Sequence, residues 1–244
     1  IAFEAGKDDF LQLAEQFEGR VDVHVRLGFI TPATVAPAVA SVGAPRDFDL
    51  LKVDVDNCDV CFVEHMLMHF KPKLIHVEFE ADLPPAFVRR HPFVDPSKRT
   101  SPHAIGKPGS LGAFIQAARP RGYQLLQVEA INAVLVRKDL ASLVDEGFAS
   151  AGLGDEQRWR LGYYCHPLRS TWRHSPHSQI RRGLQADTAP LGDPSLSLAT
   201  RLRMAKDILA RGFVENQFPP GTRVTVDRHA LAAAAEPASI SLLH

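Results

Sequence analysis

Four carboxylates stand where a sheet protein would hold a ligand. Glu4 ends the run IAFE, Asp54 and Asp56 close FDLLKVDVD, and Glu78 closes LIHVE. In an open α/β sheet, ligands bind outside the carboxyl ends of the strands. Positions 54 and 56 of an extended strand point to the same face. Two carboxylates held together raise the pKa of one and make a proton acceptor for a hydroxyl. They could also hold a divalent cation. The plainer alternative is that one caps the next helix while the other binds water or Lys52. Glu78 is the natural third member of the set. Glu4 has two readings as well: an acceptor for both ribose hydroxyls of a nucleoside, or an acid at the start of the next helix that favours its dipole.

Other residues offer weaker chemistry. The stretch from Ala81 to about Gly109 is rich in Pro, Arg and His. His91 and His103 lie in it, and either could serve as a base, although such loop histidines are more often solvated. Arg89, Arg90, Lys98 and Arg99 could recognise an anionic acceptor. Cys58, Cys61, His65 and His69 recur at a spacing that places them on one helix face. A structural zinc site draws its ligands from separated elements, so no metal is assigned there. Gly152-Leu153-Gly154 does not open a strand-to-helix phosphate loop. Residues Gln157 to Gly183 hold six arginines, three histidines and no acid, with Trp159, Tyr163, Tyr164 and Trp172 interleaved. Arginine with aromatics can grip nucleic acid. The reading preferred here is a tail wrapped on the domain, its aromatics buried and its arginines paired with acids.

The elements that must position these residues follow from periodicity. Asp8 to Phe17 has helical spacing closed by Gly19. Val21, Val23 and Val25 alternate as a strand. Thr31-Pro32 starts a helix that ends near Gly43-Ala44-Pro45. A strand over Phe48 to Val55, a helix over Asp59 to Phe70 and a strand over Leu74 to Phe79 come next. Ser110 caps a helix to Arg119, and Tyr123 to Val128 with Ala133 to Arg137 reads as a hairpin. Strand–helix alternation implies a mostly parallel sheet with helices on both faces. The closing hairpin adds one antiparallel strand. After Asp139 the periodicity weakens, apart from short helical stretches at 140–148 and 230–235 and a clear helix over Leu196 to Leu209.

The whole chain sets outer bounds. It has 244 residues, 45% of them apolar, and a formal net charge of +0. That balance argues against bulk electrostatic binding to nucleic acid or an anionic membrane. Its three cysteines do not suggest a secreted disulfide framework, so a reducing, intracellular (cytoplasmic) setting is the default. No signal peptide or membrane-spanning run is visible.

FDLLKVDVDNCD followed by KPKLIHVEFEADLPP resembles the central part of FkbM-type methyltransferases and related methyltransferase-like proteins. IAFEA is similar to that family's second strand, GFITPATV to its next helix start, and GYQLLQVEAINAVLVRKDL to its final hairpin. The resemblance covers residues 1–140 and implies a Rossmann-like class I methyltransferase sheet, with 141–244 as a partly helical or irregular C-terminal extension. In that fold the seventh strand lies antiparallel between the fifth and sixth. Because the chain opens at Ile1, the resemblance places the first strand and its glycine-rich cofactor loop upstream. The residue that is usually Gly after the strand acids is Asn57 here.

The implied cofactor is S-adenosylmethionine, with Glu4 on the ribose, Gly28 and Phe29 near the adenine, and Asp54 beside it. Asp54, Asp56, Glu78 and His91 are the implied catalytic set. The implied activity is O-methylation of a hydroxyl on a small-molecule or glycan acceptor. The rival expectation is a non-catalytic methyltransferase-like module for binding or scaffolding. A nicotinamide-dependent dehydrogenase is disfavoured, because no Gly-rich fingerprint is present.

Overall fold

The computed structural model describes residues 1–81, 83–95, 107–145, 152–166, 191, 193, 195–215 and 223–233. The chain is mixed α/β. Its first part runs β1 (Ala2–Glu4), α1 (Lys7–Gln16), β2 (Val25–Leu27), α2 (Pro32–Ser41), β3 (Leu50–Val53), α3 (Asp59–His69) and β4 (Leu74–Glu78). There follow β5 (Phe87–Arg90), α4 (Leu111–Ala118), β6 (Tyr123–Glu129) and β7 (Asn132–Arg137). The extension supplies α5 (Ala141–Asp145), α6 (Asp155–Trp159), a π-helical turn (Arg160–Tyr164), α7 (Leu198–Glu215), β8 (Arg223–Val226) and α8 (Arg228–Ala233).

The main sheet has the order β3-β4-β7-β6. β3 and β4 are parallel, and β7 runs antiparallel to both β4 and β6. The expected placement of the last strand between its two neighbours is therefore seen. β1 and β2 form a separate parallel pair, and β5 with β8 a separate antiparallel pair.

Alternation along the strands sorts the two faces. Ile75, Val77, Leu125, Val128, Ala133 and Leu135 are buried on one face. They pack in one cluster with Val60, Val63 and Met66 of α3 and with Leu111, Phe114 and Ile115 of α4. Each such side chain contributes about 1.5–3 kcal/mol when fully buried. Tyr123 joins this core, and its hydroxyl donates to the Pro72 carbonyl at 2.7 Å. On the opposite face, Leu74, Val134 and Val136 lie under Leu140, Ala141 and Val144. A bulge between Leu125 and Gln127 releases Leu126 into this second cluster.

Helix starts follow the sequence signals. Thr31 and Thr34 form a reciprocal capping box, with the Thr31 amide donating to Thr34 Oγ1 at 2.8 Å. Ser110 caps α4, and its hydroxyl donates to the Phe87 carbonyl while accepting from the Arg89 amide.

Three expectations are corrected. Val21 to Val25 is not a strand: the pairing covers only Val25–Leu27, because β1 offers just Ala2–Glu4 to pair with. Val21 is 93% exposed, beside a turn held by the Arg20–Asp22 ion pair. β3 stops at Val53, so the backbone is not extended through Asp56. The stretch after β4 contains β5, whose partner β8 lies far along the chain.

The extension packs onto the rest. Trp159 and Tyr163 belong to the main core cluster, and Trp159 Nε1 donates to the Ala81 carbonyl at 3.3 Å. Arg158 is buried and donates to the carbonyls of Leu125, Leu126 and Leu153. Arg160 does pair with an acid, Glu156, at 2.9 Å. Leu198, Leu202 and Ala205 of α7 share a second cluster with Leu83, Phe87 and Leu231. Trp172, Arg169, Arg173, Arg181 and Arg182 lie outside the described residues.

The hairpin joining β6 to β7 turns through Ala130, whose φ is 56°. A side chain in the left-handed region costs roughly 1–2 kcal/mol that glycine avoids. Ala130→Gly should therefore raise unfolding stability by about 1 kcal/mol. Urea denaturation checks this, and a loss of stability would contradict the strain.

Candidate functional site

Two groups of polar residues stand at the carboxyl ends of strands, one on the β1–β2 pair and one on the main sheet. The first sits on the β1–β2 pair. Glu4 pairs with Leu27, and the Gly28 amide donates to the Glu4 carbonyl at 3.0 Å. Glu4 Oε1 accepts from the Gly6 amide at 2.7 Å, while Oε2 accepts nothing among the described residues. A Cβ added to Gly28 would meet no atom within 4 Å, and Phe29 is 52% exposed. A free carboxylate oxygen, open space and an exposed ring thus stand at the ends of β1 and β2. That set fits a nucleoside, with its hydroxyls on Glu4 and its base against Phe29.

The second group lies after β3. Asp54 is held by Lys52 at 2.7 Å, the partner that the plainer alternative named. The chain then turns sharply at Asp56, where φ is 50°. Aspartate tolerates this conformation better than most residues. The left-handed residue is thus Asp56, and position 57 has no need of glycine. Asn57 instead uses its side chain as a clamp. Its Nδ2 donates to the Val94 carbonyl at 2.9 Å, and its Oδ1 accepts from the amides of Val94 and Cys58, both at 2.9 Å. Glycine could supply none of these bonds.

Asp59 opens α3 and is 1% exposed. Burial pushes its carboxyl up to about 7, aided by the charges of Asp54 and Asp56 and opposed by the amides of Asn57 and Val55. Glu78 is also raised, first by burial and then by Asp54 and Asp56, with Lys52 opposing. Asp54 and Asp56 thus add to upward shifts at Asp59 and Glu78 whose largest cause is burial. The shared-face argument for Asp54 and Asp56 does not hold, because the strand ends before them.

The same side of the sheet carries a cavity of about 330 Å³ lined by His76, Gln127, Glu129, Asn132 and His166 among others. It adjoins the carboxylates: His76 lies opposite Lys52 on β3, and Asn132 opposite Glu78. Among the described residues, His76 Nδ1 is buried without a hydrogen-bond partner. Burial lowers the His76 pKa, and Lys52 lowers it further against the pull of Asp54 and Glu129.

Residues 91–95 join the two groups. The Phe93 ring lies 6.2 Å from Phe29 and 6.0 Å from Phe62 of α3, while Val94 is held by Asn57. His91 is placed differently from the expected solvated base. Its side chain is 0% exposed, and Nε2 lies 2.7 Å from Glu80 Oε2. Arg89 Nε donates to the same oxygen at 2.7 Å. Burial alone would raise the Glu80 carboxyl, yet the His91 hydrogen bond and the Arg89 and Lys107 charges hold it well below the usual range. A buried carboxylate needs such partners, so His91 and Arg89 are drawn into the loop interior. Arg90 pairs with Glu64 at 2.8 Å. Lys98, Arg99 and His103 lie outside the described residues.

Among the described residues, no group of three or more His, Cys, Asp or Glu side chains converges as a metal site. Cys58 and Cys61 are joined as a disulfide, and His65 Nδ1 contacts the Cys61 carbonyl at 2.9 Å. Sequence reasoning missed this bond, the Asn57 clamp, the buried Asp59 and the orphaned His76. The Cys-x-x-Cys spacing was a signal for the bond. The other three depend on long-range contacts.

No family model, curated protein or solved structure matches this chain.

Asp59 gives a pH signature. Its folded pKa lies above its unfolded value of 3.8, so folding favours the protonated form. The contribution of Asp59 to stability is undiminished below about pH 4 and is lost as pH rises to about 7, by up to about 4 kcal/mol. Asp59→Asn should match wild type at pH 4 and exceed it by roughly 2–4 kcal/mol at pH 8. Equal differences at both pH values, in urea melts, would contradict this. Asn57→Ala removes the partner of the half-buried Val94 amide and carbonyl and should cost about 1–2 kcal/mol. Faster amide exchange across residues 91–95 would locate that loss.

Proposed function

We propose that this chain is the greater part of a Rossmann-like S-adenosylmethionine-dependent methyltransferase acting on a hydroxyl of a small-molecule or glycan acceptor. The observation that carries the reading is the strand order β3-β4-β7-β6 with β7 antiparallel between its neighbours. It is the arrangement expected from the methyltransferase-like motifs. On this reading β1 and β2 are the second and third strands of the fold, and the first strand belongs between β1 and β3.

S-adenosylmethionine supplies an activated methyl group, which leaves alignment and proton removal to the protein. Glu4 Oε2 accepts the ribose hydroxyls, and Phe29 packs on the adenine. Glu78, its carboxyl raised by burial and by two neighbouring aspartates, takes the acceptor hydroxyl proton. Lys52 orients Asp54 at the strand end. Gln127, Asn132 and Glu129 line the adjoining cavity with groups that hydrogen-bond hydroxyls.

A second reading has one specific observation in its favour. Asp54 is satisfied by Lys52 and His91 by Glu80, an arrangement that also suits a non-catalytic binding module.

Calorimetric titration with S-adenosylhomocysteine separates the two. Binding is expected, weakened at least about tenfold by Glu4→Ala, the loss of a charge-assisted pair of hydrogen bonds. Glu78→Gln should leave that binding intact and lower methyl transfer to a panel of sugars and polyols by about 100-fold or more. A folded chain that binds no S-adenosylhomocysteine, with or without residues added upstream, would favour the binding module.

A further inference from the structure

Cys58 and Cys61 close a disulfide across the first turn of α3, next to the Asp54–Asn57 turn. The two sulfurs are not equivalent. Cys58 is 1% exposed and Cys61 is partly exposed. Cys58 stands at the N-cap of an eleven-residue helix, and its carbonyl accepts from the amides of Cys61 and Phe62. A thiolate there faces the positive end of the helix dipole, and Cys-x-x-Cys pairs at helix starts favour the thiolate form. Asp59, between the two, would oppose a thiolate if fully ionised. Its buried carboxyl titrates only near 7 and so opposes it less than an ordinary aspartate.

We infer that Cys58–Cys61 is a reversible thiol–disulfide exchange site whose substrate is a low-molecular-weight thiol, attacked at Cys61 and released through Cys58. The incoming thiolate bonds to Cys61 Sγ as the Cys58–Cys61 bond breaks. Cys58 leaves as a thiolate and takes up a proton. A second thiol attacks the mixed disulfide and bonds to the first thiol's sulfur. Cys61 is released and protonated in turn. The protein gains two electrons and two protons, and the two thiols leave as their disulfide. The reverse reaction restores the bond at the expense of a small disulfide.

The exchange has a structural consequence at the strand end. Asn57 Oδ1 accepts from the Cys58 amide, and Asp59 accepts from the amides of Val55 and Asn57. The bond therefore anchors the turn that presents Asp54 and Asp56. Opening it frees the Cys58 and Cys61 side chains and loosens that turn. The inference stands on the disulfide and its surroundings, independent of methyl transfer.

The test uses the full chain with the exposed Cys165 replaced, Cys165→Ser. The folded protein is equilibrated in glutathione buffers of graded oxidised-to-reduced ratio, and free thiols are trapped by alkylation and weighed by mass spectrometry. The expected result is one two-electron transition within that series. Amides of residues 55–61 should exchange several-fold faster in the reduced form. Oxidised glutathione should add a mixed disulfide to Cys61 in Cys58→Ser, and much more slowly to Cys58 in Cys61→Ser. A pair that stays oxidised until the chain unfolds, or stays reduced in every buffer, overturns the inference. So does a faster adduct at Cys58, or exchange of 55–61 that ignores the redox state.

Discussion

Strand β7 is the constraint on which the main sheet depends. It gives ladder hydrogen bonds to β4 on one side and β6 on the other, so β4 becomes an interior strand with both edges paired. Its two faces then divide the work. Ala133 and Leu135 point into the core under α3 and α4, while Asn132 and Val134 line the polar cavity on the other side. The register that places Asn132 opposite Glu78 also fixes where the cavity meets the carboxylates. A slip of one residue would exchange core and cavity faces, and the depth of the buried side protects against that slip.

Around the strand ends, charge is managed by pairing some acids and burying others. Asp54 and Glu80 have cationic partners, whereas Glu78 and Asp59 do not and are raised by burial. The contrast gives the site a spread of proton affinities within a small volume. Acid–base chemistry uses pairs of groups whose surroundings push their pKa values apart.

Local signals made much of this fold legible in the sequence. The Thr31-Pro32 start, the Ser110 cap and the β6–β7 hairpin depend on neighbours in the chain, and each lies where expected. β5 was not legible, because prolines flank it, two of its four residues are arginines and its partner β8 is supplied by a distant segment. Val21 to Val25 misled, because β-branched alternation creates no strand without a partner edge. At the candidate site, Glu4 and Gly28 meet through their backbones at the strand ends. Asn57 read as a departure from a glycine pattern. Its value as a clamp depends on Val94, and no local rule connects those two positions. His91 read as a loop base for the same reason: Glu80, which draws it inward, acts through tertiary geometry.

The outer edge of β6 would be an open template in the isolated sheet. The extension occupies it: Arg158 satisfies the Leu125 and Leu126 carbonyls, and the Gly162 carbonyl accepts from the Ala130 amide. Gly162 sits so close to Val128 that any side chain there would strike its carbonyl oxygen. The π-helical turn therefore works as a plug against self-association, since an unpaired edge recruits strands from other copies. Solubility of the sheet and attachment of the extension are thereby one property. Trp159 and Tyr163 fasten that turn to the core of the sheet.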